Sequence, residues 1–452
     1  MFIERWELRA RFARSLSEMY GREVPAYTTL VDVSREVNAD VAAARGGDAE
    51  RLGSLERITG ERHGAIRLGT PREMAQVARI FGAMGMYPVG FYDLRDAAPR
   101  PVPVISTAFR PIDEDELARN PFRVFTSLLA VPDRRFFSAE LQQRLHRFLD
   151  ARVLFPRELL ELADRAEREH GLPAAHADHF IELATKSFEL SREPVDEGWY
   201  RELEQISDVA ADIGGVASTH INHLTPRVLD IDELYARMEA RGTRMIDAIQ
   251  GPPRWDGPDL LLRQTSFRAL AEPRVFRRAD GSLHESSLRV RFGEVEARGI
   301  ALTDAGRALY DEAMAAQAPA AAFAARFPAT ERKLAAKDLA FFTYEACPDR
   351  PLDGTAPPED VAGLLAGGWV VASPIVYEDF LPRSAAGIFQ SNLTGAGAHV
   401  GPEEGADLDD AWMAGLLDRE LADPTALYAD QRERSLDRVR SELWSPIHLT
   451  RS

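Results

Sequence analysis

Three short segments, far apart in the chain, constrain this sequence more than anything else in it: "ERHGAIRLGT" at residues 61–70, "THINHLTPRVLDID" at 219–232 and "VRFGEVEARGIALT" at 290–303. Each places histidines or carboxylates among apolar, strand-like residues. Burying such groups is costly unless a cation, a metal or hydrogen bonds compensate them. Two histidines and one carboxylate from separate segments form the ligand set of a mononuclear non-haem iron(II) centre, which leaves positions open for substrate and O₂. A fold that uses them this way must bring three distant stretches of chain to one point.

Within the first segment, His63 and Arg67 are four residues apart on a predicted strand, so both side chains point to one face. A metal ligand beside a carboxylate-binding guanidinium is the functional reading, and a surface pair is the bland one. The second segment holds His220 and His223, an odd number apart, and a regular strand cannot turn both inward. His223 is preferred because it leads through Leu224 towards Asp230, Ile231 and the helix that follows, with His220 as the alternative and a candidate for orienting substrate. In the third segment Glu294 and Glu296 share a strand face, and Arg298 could pair with one of them. Glu294 is preferred as ligand and Glu296 is the alternative, against the plain reading of an exposed edge strand with alternating charges.

Composition narrows the partners. The net charge is −17 over 452 residues, which opposes non-specific binding to nucleic acid or to anionic membranes. A small anionic substrate would therefore need locally placed arginines. The single cysteine, Cys347, allows no intrachain disulfide. No apolar leader follows the charged start "MFIERWELRARFARSL", and no apolar run is long enough to span a membrane. These features lead to the expectation of a cytoplasmic protein, and they leave its oligomeric state open.

The expected fold class is α+β. Residues 1–55 read as N-terminal helices, 56–112 as a first strand-helix-strand block, 113–205 as an all-helical insertion, 206–303 as a second such block, and 304–452 as a helical and loop region closing the site, all in one compact unit. Thr70, Pro71 and Glu73 spell a helix start with a capping box. The two blocks read as a structural repeat. In "LLLRQTSF", strand alternation puts Gln264 and Ser266 on one face and Arg263 on the other, and all three are secondary candidates for substrate binding.

The strings "HL…DI" and "EVEAR" resemble segments of 4-hydroxyphenylpyruvate dioxygenase and the vicinal-oxygen-chelate fold. The longer strings "ERHGAIRLGT", "MGMYPVGFYDL", "STAFRPID", "NPFRVFTSLL", "HINHLTPRVLDID", "LLRQTSF" and "FGEVEARGIALTDAGRALYD" resemble the bacterial 2-oxoadipate dioxygenase/decarboxylase family, from about residue 55 to about residue 400. The resemblance implies a curved mixed sheet around a metal site. It also implies an Fe(II) enzyme that converts 2-oxoadipate and O₂ to 2-hydroxyglutarate and CO₂ in lysine breakdown. By that resemblance His63, His223 and Glu294 hold the iron, Arg67 and Val400 bind substrate, and no other side chain acts in catalysis. Zinc or nickel can occupy the same donors. The competing readings are a glyoxalase-type metal-dependent isomerase or lyase and a non-catalytic protein that binds small acids.

Overall fold

The chain opens with a three-residue strand, β1 (Phe2–Glu4), and two long helices, α1 (Arg5–Glu23) and α2 (Pro25–Arg45). The structure, a computed structural model, describes residues 1–97, 101–269, 271–288, 291–348, 350, 355–381, 401 and 403–444. Apolar residues at helical spacing, Leu8, Phe12, Leu16 and Met19 on α1 and Leu30, Val33 and Val37 on α2, form the buried stripes of the helix pair. A short helix, α3 (Leu55–Gly60), capped by Ser54, delivers the chain to β2 (Arg62–Leu68). Next comes α4 (Pro71–Gly82), whose capping box is complete: Thr70 Oγ1 accepts from the Glu73 N–H, and the Glu73 carboxylate accepts from the Thr70 N–H.

β3 (Tyr87–Asp93), β4 (Val104–Arg110) and β5 (Arg123–Leu129) complete a first unit. β5 runs parallel to β2, with His63 opposite Arg123, and antiparallel to β4. This corrects the expectation that residues 113–205 are all helical. Every residue of β5 is buried, so no alternation of polar and apolar residues marks it as a strand. Helices do fill most of the stretch that follows, together with β6 (Gly171–Pro173), which pairs with β1, and the two-residue β7 (Val195–Asp196).

A second unit follows: β8 (Ile221–Pro226), the helix Ile231–Ala240, β9 (Leu262–Ser266), a hairpin of β10 (Glu272–Arg277) and β11 (Leu283–Leu288), and β12 (Glu294–Arg298). Gly242, at φ +77°, lets the chain turn out of the helix. β9 pairs antiparallel with β12, and Met245 and Gln250 bridge antiparallel to β9 on its other side. A parallel bridge from Arg227 to Glu296, with the Val228 N–H donating to the Glu296 carbonyl at 2.8 Å, sets β12 beside β8. Both units therefore share one order across the sheet: first strand, fourth, third, second, with first and fourth parallel. Antiparallel pairing of β2 with β8 joins the two units.

The C-terminal part adds an antiparallel pair of β13 (Phe342–Ala346) and β14 (Val370–Pro374), with the helix Pro424–Leu443 packed on β13. The segment after β14 returns to the sheet and lays Phe380 against it. Among the described residues no helix is long and apolar enough to cross a membrane.

Candidate metal centre

Directly opposite residues of antiparallel strands point to the same side. Because Ala65 lies opposite His223, and His63 is two residues from Ala65, both imidazoles project from the same face of the β2–β8 junction. β12, beside β8, brings Glu294 into that space. The ligand atoms of His63, His223 and Glu294 all lie within 4.8 Å of one another, and all three residues are buried. His63 Nε2 stands 3.8 Å from Glu294 Oε1 and His223 Nε2 3.5 Å from Glu294 Oε2. The two imidazoles are nearly perpendicular, at 82°. Phe380 meets the His63 ring edge-on at 5.1 Å, and Phe292 lies against the His223 ring at 5.2 Å. Glycine is required just before Glu294, since a Cβ at Gly293 would come within 2.0 Å of the Phe267 ring.

The donor set fits a divalent transition metal. Burial pushes the His63 imidazole below its usual range and the His223 imidazole well below it, so both are neutral lone-pair donors. Burial, and then the charge of Glu296, push the Glu294 carboxyl well above the usual carboxylate range. Among the described residues no arginine or lysine pairs with Glu294. Two uncharged nitrogens and a carboxyl without its own cation are what such an ion coordinates, with part of its shell left for other ligands.

Glu296, the alternative ligand, stands outside this group. Its Oε2 is 3.0 Å from His63 Nδ1, and Arg298 holds the carboxylate through Nε and Nη2 at 2.6 and 2.9 Å. Burial alone would raise the Glu296 carboxyl, but Arg298 and then His63 hold it well below the usual range. Behind this pair sits Glu61, which accepts from Arg123 and, at 2.9 Å, from Arg227. Burial opposes its charge, yet Arg227, Arg123, Arg57 and Arg298 bring its carboxyl down to about 2. Sequence reasoning missed Glu61, Arg123 and Phe380. Glu61 could have been noticed by its place two residues before His63, between α3 and β2, whereas Phe380 carries no signal in "YEDFLP".

Arg67, buried on the same strand as His63, donates from Nη1 to Asp212 Oδ2 at 2.5 Å. Asp212, on the helix Asp208–Gly214, also accepts from Asn222 Nδ2 at 3.0 Å. His220 Nε2 lies 3.1 Å from that Asn222 nitrogen and 3.4 Å from Asp212 Oδ1. The expectation that only one of His220 and His223 turns inward assumes a regular strand, and β8 is not regular. Its register against β2 steps from His223 opposite Ala65 to Ile221 opposite Ile66, so Asn222 is an extra residue. Such a bulge resets the alternation of faces. His220 therefore reaches the same aspartate as Arg67, away from the triad.

Ser266 lies opposite Glu294 and Gln264 opposite Glu296, so both share the face of those carboxylates. Arg263 faces the other way and grips Asp232 with two hydrogen bonds of 2.6 and 3.0 Å. Val400 lies outside the described residues.

Comparison with known proteins gives this geometry a context. The profile of the 2-oxoadipate dioxygenase/decarboxylase family matches residues 12–392. The 2-oxoadipate dioxygenase/decarboxylase of Mycobacterium tuberculosis is 55% identical over 428 residues, covering 94% of this chain and 96% of its own. The protein of that name from Pseudomonas putida is 41% identical over 459 residues, covering 96% of each chain. The hydroxyglutarate synthase of Pseudomonas putida, solved in complex with 2-oxoadipate, superimposes with a TM-score of 0.83 at 39% identity over 98% of this chain and 99% of that one. A glyoxalase-superfamily protein from Ralstonia eutropha matches with a TM-score of 0.50 at 21% identity over 66% of this chain and 84% of that one, a likeness of fold alone.

Proposed function

This chain belongs to the 2-oxoadipate dioxygenase/decarboxylase family, and on that premise we propose that it converts 2-oxoadipate and O₂ to 2-hydroxyglutarate and CO₂ at His63, His223 and Glu294. The observation that carries the proposal is the convergence of two neutral imidazoles and a carboxyl without its own cation in one buried space. Fe(II) held there supplies open coordination positions for a 2-oxo acid and for O₂, together with the redox capacity that the overall reaction needs. The paired units, each with the strand order first, fourth, third, second, support reading the fold as a vicinal-oxygen-chelate arrangement.

The chain's own residues bind, orient and exclude water. A substrate with a carboxylate at each end can place one end at the metal and needs a cation for the other. Arg67 meets that need: its guanidinium is always charged and makes strong, directional hydrogen bonds to carboxylates, and Asp212 holds it in place. Gln264 and Ser266, on the face of Glu294, can donate to substrate oxygens. Tyr92, Phe125 and Phe380 pack in sequence as tilted rings at 5.2 and 5.1 Å and form an apolar wall beside His63 for the methylene part of the substrate. That wall keeps bulk water from the reacting atoms.

The test is anaerobic reconstitution with Fe(II), followed by 2-oxoadipate and air, with O₂ uptake, CO₂ release and 2-hydroxyglutarate measured together. Equal amounts of the three are expected. A metal-loaded protein that consumes no O₂ with 2-oxoadipate overturns the proposal.

A further inference from the structure

Glu296 presents an arrangement that the proposed reaction does not itself explain. It is a fully buried carboxylate on the same strand face as Glu294, and it points at a different nitrogen of the same histidine. His63 Nε2 faces Glu294, whereas His63 Nδ1 stands 3.0 Å from Glu296 Oε2. That spacing is a hydrogen-bond distance, with the ring N–H not aligned along it.

Arg298 does two things at once. Its Nε and Nη2 grip Glu296, and its Nη1 donates to the main-chain carbonyls of Tyr377 and Asp379 at 2.8 and 3.0 Å. The next residue, Phe380, sets its ring edge-on against His63 and 5.7 Å from the Arg298 guanidinium carbon. One guanidinium thus ties together the carboxylate on one side of the His63 ring and the aromatic cover on another.

We infer that Glu296 and Arg298 are positioning residues for the metal centre: Glu296 takes the hydrogen bond from His63 Nδ1, which leaves Nε2 as the bare donor nitrogen, and Arg298 fixes both Glu296 and the segment carrying Phe380. The inference rests on the reading of His63, His223 and Glu294 as the ligands. An imidazole that offers Nε2 to a metal carries its proton on Nδ1, and the group that accepts the hydrogen bond from Nδ1–H sets the orientation of the ring. A carboxylate left alone in this interior would be unstable as an anion, and the two-pronged contact from Arg298 removes that penalty.

Two measurements test it. In wild-type protein labelled with ¹⁵N-histidine and loaded with diamagnetic Zn(II), ¹H–¹⁵N correlation should show His63 protonated at Nδ1 and bare at Nε2, its signal assigned by its absence in His63→Gln. The opposite tautomer overturns the inference, and this arm needs no folded Glu296 variant. The second measurement is Co(II) titration followed by visible absorption. Glu296→Gln should raise the Kd for Co(II) by about 10–100-fold and shift the ligand-field bands, since loss of a partner outside the ligand set costs about that much. Arg298→Lys should shift both in the same direction by less. Unchanged Kd and bands in Glu296→Gln overturn the inference. His223→Ala separates the two levels: if it binds Co(II) as wild type does, the ligand reading falls, and if it loses Co(II) while Glu296→Gln does not, only the positioning role falls.

Discussion

In the first unit β2, β4 and β5 are buried along their whole length and hydrogen-bond as full strands, whereas in the second unit the strand in second position is reduced to bridges at Met245 and Gln250, and a hairpin interrupts the path from β9 to β12. The donors are distributed the other way. The regular unit contributes His63 and Arg67, and the interrupted one contributes His223, Glu294, Glu296 and Arg298. Each unit carries one break in register, between Val89 and Tyr92 in β3 and at the extra residue Asn222 in β8, and the second unit adds the close contact of Gly293 with the Phe267 ring. Fuller strand pairing provides a rigid surface, and the unit with the reduced second strand places chemical groups against it.

The sharpest way to break this comparison is to remove a donor from the interrupted unit. His223→Ala or Glu294→Ala should abolish O₂ uptake and weaken metal binding by more than the about 10–100-fold expected for a partner outside the ligand set. Circular dichroism should show the fold intact. A variant that keeps wild-type turnover would show that the interrupted unit is not the seat of the chemistry.

Next in size is stability. Phe109→Ala in β4 empties a site in the main core and should cost about 3–5 kcal/mol in urea unfolding. Leu283→Ala in β11, where the side chain is 58% exposed, should stay within about 0.5 kcal/mol. Similar losses at the two positions would erase the distinction between the buried sheet and the hairpin.

Arg67 sharpens the comparison, because it gives the regular unit a part in recognition. Arg67→Met should lower kcat/KM for 2-oxoadipate by the equivalent of about 1.5–3 kcal/mol, the worth of a hydrogen bond to a charged group. A 2-oxo acid of equal length with one carboxylate should be affected much less, and an equal loss for both substrates would count against a role at the distal carboxylate.

The last expected effect concerns pH. Burial, only partly offset by Asp212, pushes the His220 imidazole down to about 4. The unfolded chain takes up this proton near the ordinary value of about 6.5, so stability is lost as pH falls from there towards 4 and is retained above it. His220→Asn should flatten that part of the pH dependence of Tm. A slope as steep as that of wild type would assign the acid sensitivity to other groups.

Much of this was readable from the residues. The three segments that bring His63, His223 and Glu294 together, the capping box of Thr70 and Glu73, and the strands around Val89, Ile105 and Val295 follow from local pattern, because each carries its signal within a few positions. β5 was hidden because "RVFTSLL" is buried on both faces and shows no alternation. The placement of His220 depended on an extra residue that only pairing with β2 reveals. The choice between Glu294 and Glu296 could not be made from strand parity, since the two point the same way. It rests on what stands opposite each of them, His223 for one and Arg298 with His63 Nδ1 for the other.

The seam between β2 and β8 has a consequence for how the chain assembles. Strand pairs separated by well over a hundred residues are slow to find. A slip of one residue in β8 would turn His223 to the opposite side of the sheet, where it could not meet His63 and Glu294. Only the correctly registered seam offers all three donors to one ion, so an ion that binds there stabilises that register over its neighbours by its own binding energy. The metal would thus act as a proofreader of assembly as well as a cofactor, rewarding the one alignment of the two units in which the chemistry can take place.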